Sequence, residues 1–353
     1  MKFQITKSDL EKIYHLFEVK ETNIALANML LYYFQIEEPM KEAKDLNDYL
    51  EKLMEVCEID KNNSDSIKII NQQIKPAIHC LDKKIIDDDI YVSTLKFPTI
   101  DIHDREFISQ SYAPYQGFSY DDITVTDDDF KEIQKVGYFT SKISYPVLSY
   151  EDEVWMSVTP NEIKTLEGPL KNAAGNIITF GLGMGYFVYL ASLKDTVKSI
   201  TVVEKDPFII QLFKQYLLPQ FKEKQKITII EQDACEFLQQ QHQFDYAYVD
   251  LWHNPNDGLP LYIIFKKAEV NFPHCHFDYW LETSILALYR RCFLTVTLEQ
   301  LNNLPASEYQ RAKNETDKII NDIYGRTKNL TIKSYEQFHH LCTNEELKKL
   351  IIH

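Results

Sequence analysis

Glycine is scarce in this chain, with nine in 353 residues. Most turns are therefore left to other residues, and a place where glycines gather marks backbone that needs unusual freedom or close approach. Cysteine is sparse and scattered, at positions 57, 80, 235, 275, 292 and 342, with no C-x-x-C pair. Neither a zinc ribbon nor a disulfide framework is supported, and the expectation is reduced, partly buried thiols in a cytoplasmic protein. His274-Cys275-His276 would set two imidazoles on one face of a strand. A third ligand is not evident, so no metal is expected. No apolar run reaches the length that crosses a bilayer, and the first residues are polar and mixed in charge. The expectation is no membrane span and no signal peptide. Basic runs are missing as well. At a net charge of −15 the chain would repel a phosphate backbone, so nucleic acid is not expected as a partner.

What the chain does have is apolar mass. It is 44% hydrophobic and 13% aromatic, which suits a large core divided over two or three units. Four of its nine glycines fall between Gly175 and Gly185. There the apolar run Ile177-Ile178-Thr179-Phe180 reads as a buried strand, Gly181-Leu-Gly183-Met-Gly185 as a turn, and Tyr186 to Leu193 as a helix. Strand, glycine turn and helix let backbone N–H groups approach a nucleotide-like ligand at the edge of an open α/β sheet. A dinucleotide turn needs glycine three positions after the second. Tyr186 occupies that place, so an NAD pyrophosphate fits poorly. Taken alone, the turn is equally well explained as a tight structural corner.

The next three strands decide the matter. Val197–Val203 reads as a second strand ending at Glu204, where a carboxylate about 20 residues past the turn can accept ribose hydroxyls. Lys226–Ile230 reads as a third, followed by Gln232-Asp233-Ala234. Phe244–Val249 reads as a fourth, followed by Asp250-Leu-Trp-His253. Each could be a solvated strand-end carboxylate. Three acidic exits in register with one glycine turn favour cofactor contact.

These residues resemble the class I S-adenosylmethionine-dependent methyltransferases, most closely the branch that includes the spermidine synthase-like proteins. The resemblance runs from roughly Tyr150 to Glu269. It implies that Gly181, Gly183, Gly185 and Tyr186 cradle the methionine part of the cofactor S-adenosyl-L-methionine. It further implies that Glu204 holds the ribose, that Asp233 and Ala234 read the adenine, and that Asp250 stands beside the reacting centre. The segment 151–163 is similar to the acidic-aromatic gate that precedes the sheet in spermidine synthases. Aminopropyl transferases carry a second Asp three residues after the first at the fourth exit. Here that position is His253, an imidazole that can act as a base near neutral pH but supplies no fixed negative charge for a polyamine. The Pro-Pro pair of amino-group DNA methylases is absent at the same exit.

The expected function is methyl transfer from S-adenosylmethionine to a small or medium-sized acceptor, with Asp250 and His253 catalytic. The alternatives are an aminopropyltransferase using the decarboxylated cofactor, and a binding protein without turnover. In-line displacement at a sulfonium depends chiefly on alignment, and Tyr186, Trp252 and Trp155 are the candidates for a water-poor wall. The expected fold is α/β. A Rossmann-like class I methyltransferase sheet over 159–275 follows a helical N-terminal region (1–88) and a small β-rich region (89–158). A mainly helical extension (276–353) comes after it. Within these, Ile90–Leu95 is expected to be extended, Asp257-Gly258 a turn, and Thr343 to Glu346 a capping box. The partner expected is a small-molecule substrate, with a homodimer among the oligomeric states open to the chain.

Overall fold

In the computed structural model, residues 1–35, 42–98, 101–102, 105–151, 153–303 and 313–352 are described. The chain opens with the long helix α1 (Lys7–Phe34), started by Thr6 and Asp9 in a reciprocal capping box. Helix α2 (Leu46–Val56) packs Tyr49, Leu50, Leu53 and Met54 inward. The run expected to be extended from Ile90 is instead a short helix, α3 (Ile90–Thr94). The reason is local: Asp89 accepts the Val92 N–H at 2.8 Å and starts a helical turn, which outweighs the weak strand preference of a β-branched pair.

Four strands then form an antiparallel sheet: β1 (Asp101–Ile102), β2 (Arg105–Tyr112), β3 (Ile143–Tyr150) and β4 (Glu153–Ser157), in the order β4-β3-β2-β1. Asp152, within the gate-like segment, lies outside the described residues. Helix α4 (Pro160–Thr165) follows, with Pro160 in its first turn and Thr159 and Glu162 forming a capping box.

The main sheet is built from β5 (Gly175–Phe180), β6 (Val197–Glu204), β7 (Ile227–Glu231), β8 (Tyr246–Val249) and β9 (His276–Tyr279). The order is β7-β6-β5-β8-β9 and every pair is parallel. Parallel neighbours need crossover connections. These are supplied by helices that include α5 (Tyr186–Ser192), α6 (Pro207–Leu212), α7 (Ala234–Phe237) and α8 (Pro255–Ala268). The chain first runs outward on one side of β5 and then restarts on the other at β8, which makes the carboxyl edge of β5 the switch point where ligands bind in open α/β sheets. This is a Rossmann-like, doubly wound parallel sheet.

Alternation along the strands sorts the sheet's two faces. Ile178, Phe180, Val203, Ala247 and Val249 enter one apolar cluster with α8 and with α9 (Glu282–Leu301). Ile177, Ile200, Val202, Tyr246 and Tyr248 enter the other, with Val147, Leu148, Ile163 and Phe187. Period two thus turns Tyr248, and Asp250 after it, toward α4 and the small sheet.

Helices α10 (Glu315–Thr327) and α11 (Asn344–Ile352) complete the C-terminal part. Ahead of α11 the Thr343 hydroxyl donates back to the His340 carbonyl, and Glu346 pairs with Lys349 and His340 rather than closing a capping box. His274 takes a left-handed φ of 71° and β9 starts only at His276, so the two imidazoles do not share a strand face. Among the described residues, no helix is long and apolar enough to cross a membrane.

Candidate active site

The register of the main sheet brings the sequence-distant residues together. Phe180 lies opposite Val203 on one side and Val249 on the other, and Glu204 lies opposite Glu231. The chain therefore leaves β5, β6 and β8 at one level, and Gly181, Glu204 and Asp250 stand along a single edge.

The three glycines of the turn have left-handed φ values but different neighbours. A Cβ on Gly181 would lie 2.1 Å from the Asp250 carbonyl oxygen, and one on Gly185 would lie 2.3 Å from the Phe213 ring. Those two glycines are required by packing. At Gly183 a Cβ would meet nothing within 4 Å, so this residue alone presents bare backbone to open space. The turn is anchored by its neighbours. Glu204 accepts the Leu182 N–H at 3.0 Å, and the Leu182 carbonyl accepts the Gly185 N–H at 2.9 Å.

Glu204 accepts two further backbone N–H groups, from Lys205 at 2.8 Å and Asp206 at 2.9 Å. Its carboxylate is thus part of the loop's own framework as well as a group at the strand exit. Asp233 is the N-cap of α7, with one oxygen accepting from Cys235 at 2.8 Å and Glu236 at 3.2 Å. Ala234, buried behind it, begins the helix.

Asp250 donates its backbone N–H to the Phe180 carbonyl at 2.9 Å, which fixes the start of the fourth exit. Its carboxyl receives the Tyr248 hydroxyl at 3.5 Å. Burial pushes the Asp250 carboxyl up to about 7, the Tyr248 contact acting against it.

A second carboxyl lies within its electrostatic reach. Glu162 of α4 is pushed up to about 8, first by burial and then by the charge of Asp250. Hydrogen bonds from the Thr159 N–H (2.9 Å) and the Ser157 hydroxyl (3.2 Å) offset this in part. Trp280, just past β9, donates its indole N–H to Thr165 at 3.0 Å and so ties α4 to the sheet. The Glu162 charge also reaches the hydroxyls of Tyr112, Tyr145 and Tyr248. A pair of carboxyls walled by tyrosines is the electrostatic centre of this edge.

Several sequence candidates lie elsewhere. His253 points to solvent, its side chain 70% exposed, with Nδ1 3.3 Å from Asp257. Asp257 is not in a turn. It lies in the first turn of α8, where it closes a capping box with Asn254 behind Pro255. Gly258 follows within the helix because a Cβ there would come within 2.7 Å of the Trp252 indole. Trp252 is itself core, with its N–H given to the Trp280 carbonyl at 3.1 Å. Tyr186 is buried and its hydroxyl donates to Asp89 at 2.7 Å. Trp155 is partly exposed in β4, with the Arg105 guanidinium 5.1 Å from its ring.

Sequence reasoning did not single out Glu162. Its one signal was the gate-like segment 151–163, where T-P-N-E also reads as a capping box. Tyr248 was legible in principle, two residues before Asp250 and hence on the same side of the strand. Tyr112 and Tyr145 sit on different strands of the small sheet, with ring centroids 4.9 Å apart, and nothing in the sequence links them.

Comparison with known proteins adds one family match. Residues 185–262 match the family model of the spermine/spermidine synthase domain. No curated protein matches the chain. Among solved structures, the chain is similar to the spermidine synthase of Thermotoga maritima (15% identity, 42% of this chain and 59% of that one, TM-score 0.31). It is similar to a spermidine synthase in complex with the transition-state analogue AdoDATO (15% identity, 42% and 58%, TM-score 0.30). A protein assigned as an O-methyltransferase from Klebsiella pneumoniae overlaps at 21% identity, 28% and 44%, with TM-score 0.22. The chain thus spans less than two thirds of the length of these structures, and at such scores the overlaps carry no argument about activity. What stands is a Rossmann-like α/β fold whose central segment, from the end of the glycine turn into α8, matches the spermine/spermidine synthase domain.

Proposed function

We propose that this chain transfers an aminopropyl group from decarboxylated S-adenosylmethionine to an amine. The observation that carries the reading is the Glu162–Asp250 pair. Two carboxyls raised chiefly by burial, Glu162 also by the charge of Asp250, are stabilised as anions by a cation between them. A bound ammonium is such a cation, and it needs carboxylates to offset its own desolvation. The fixed charge that His253 does not supply at the fourth exit is thus provided from α4. The same pair disfavours a donor that brings its own carboxylate, which weighs against the methyl transfer expected from the sequence. The family match over 185–262 supports the same direction.

The residues present fit a sulfonium nucleoside. Gly183 offers open backbone, Glu204 stands where a ribose would be held, and Asp233 with Ala234 where an adenine edge would lie. When bound, the donor supplies a carbon activated by positive sulfur, which leaves with the C–S electron pair as a neutral thioether while the amine nitrogen forms the new C–N bond. The chain's own residues do the rest. Asp250, with a carboxyl near neutrality, accepts the proton the amine loses. Glu162 holds the positive end of the acceptor, and the tyrosine wall limits water around both groups.

The test is a product assay. The protein is incubated with decarboxylated or intact S-adenosylmethionine and a set of linear diamines, and the thionucleoside is identified by mass spectrometry. Methylthioadenosine from the decarboxylated donor is expected. S-adenosylhomocysteine from the intact donor, with the decarboxylated one inert, would overturn the reading in favour of methyl transfer.

A further inference from the structure

Tyr91 is completely buried, yet it belongs to a short helix outside the main sheet. Its hydroxyl donates to the carbonyl of Met184, inside the glycine turn. Its ring meets Tyr186 edge-on at 5.1 Å and Tyr189 at 5.5 Å, both on α5. Asp89, which caps α3, uses its other oxygen to accept the Tyr186 hydroxyl at 2.7 Å. A few residues on, Lys96 and Gln220 exchange two hydrogen bonds of 2.9 Å. The segment 89–96 is thus fastened across the glycine turn and the helix that follows it.

From the opposite side, Glu204 holds the Leu182 N–H. The turn is therefore gripped at residue 182 from β6 and at residue 184 from α3, leaving Gly183 between the two grips as the residue facing open space. Left-handed glycine backbone has many accessible states, and a loop that must present its N–H groups to a ligand gains affinity when those states are removed beforehand.

We propose that Tyr91 is a positioning residue: through the Met184 carbonyl it fixes the glycine turn in its nucleoside-binding conformation. The inference rests on the reading that this edge binds a thionucleoside, but not on which group is transferred. Tyr91 touches neither substrate in this account. It acts through the loop, and Asp89 supports it through Tyr186.

The experiment compares the wild type with Tyr91→Phe, which keeps the ring and removes only the hydroxyl. Binding of methylthioadenosine and of S-adenosylhomocysteine is measured by calorimetry, and urea unfolding and amide hydrogen exchange of residues 182–185 are followed in the free protein. Tyr91→Phe should weaken whichever thionucleoside the wild type binds by about five- to tenfold, the loss of one hydrogen bond. Exchange at 182–185 should quicken, and the acceptor KM should be unchanged. Asp89→Asn should act in the same direction with a smaller factor. Tyr189→Phe removes a hydroxyl from the same ring cluster without touching the loop, and should leave affinity as it was. If Tyr91→Phe binds as tightly as wild type, or if donor and acceptor affinities fall together with the unfolding midpoint, the positioning role is refuted. A wild type that binds neither thionucleoside refutes the functional reading itself.

Discussion

Replacing Glu162 by Gln tests the acid pair through stability as well as through activity. Both carboxyls have proton affinities raised on folding, Glu162 from 4.5 to about 8 and Asp250 from 3.8 to about 7. A carboxyl raised in this way is protonated in the folded state at a pH where the unfolded chain has already lost the proton. The folded state then binds more protons, so stability falls as pH rises. Its contribution is intact below the unfolded value near 4.5 and is lost as pH climbs through about 8. One pKa unit corresponds to about 1.4 kcal/mol, so the Glu162 shift sets a ceiling of roughly 4–5 kcal/mol across that window.

Gln is isosteric, and its carbonyl can still accept the Thr159 N–H that closes the capping box. Glu162→Gln should therefore fold, and should flatten the pH dependence by about 2–4 kcal/mol between pH 5 and 8.5. Urea unfolding at half-unit pH steps gives the curve directly. The amine acceptor should bind more tightly as pH rises over the same interval, because it meets two anions instead of two acids. A wild-type stability that stays level or rises from pH 5 to 8.5, or a variant whose slope equals the wild type's, would refute the pairing.

Three further outcomes are expected. Asp250→Asn should lower kcat by about 10²- to 10⁴-fold, the usual weight of a general base, with thionucleoside affinity within about threefold of wild type by calorimetry. His253→Ala should leave kcat within about twofold, since its ring is in solvent beside Asp257; a loss of a hundredfold in steady-state assays would return the base role to the imidazole. Gly185→Ala should lower the unfolding free energy by several kcal/mol, about 3 or more, because the new methyl meets the Phe213 ring. Gly183→Ala should cost only about 1 kcal/mol for its left-handed backbone while weakening thionucleoside binding far more; the two variants are compared by urea unfolding and calorimetry.

Much of this architecture was written in local pattern. The apolar runs at 177–180, 197–203, 226–230 and 244–249, each followed by an acidic or glycine exit, determined a parallel sheet and lined up its exits along one edge. Periodicity and exit chemistry are properties of neighbouring residues, so a sequence carries them openly. Where local signals competed, the reading failed. Asp89 capped a helix that β-branched residues made look like a strand, and Asn254 with Pro255 started α8 three residues before a glycine that resembled a turn. The acid pair was beyond reach for a different reason. Glu162 and Asp250 are separated by the whole of β5 to β8, and in sequence Glu162 is one half of an ordinary capping box. Only the packing of α4 against the sheet, tied by Trp280 to Thr165, brings its carboxyl into the field of Asp250 and raises its proton affinity. The same holds for Tyr91, an unremarkable residue in a β-looking run until tertiary contact delivers its hydroxyl to the Met184 carbonyl. Residue type and spacing determined which residues line the exits of the sheet; which charges meet there, and what holds the glycine turn still, was decided by contacts between elements that no local spacing records.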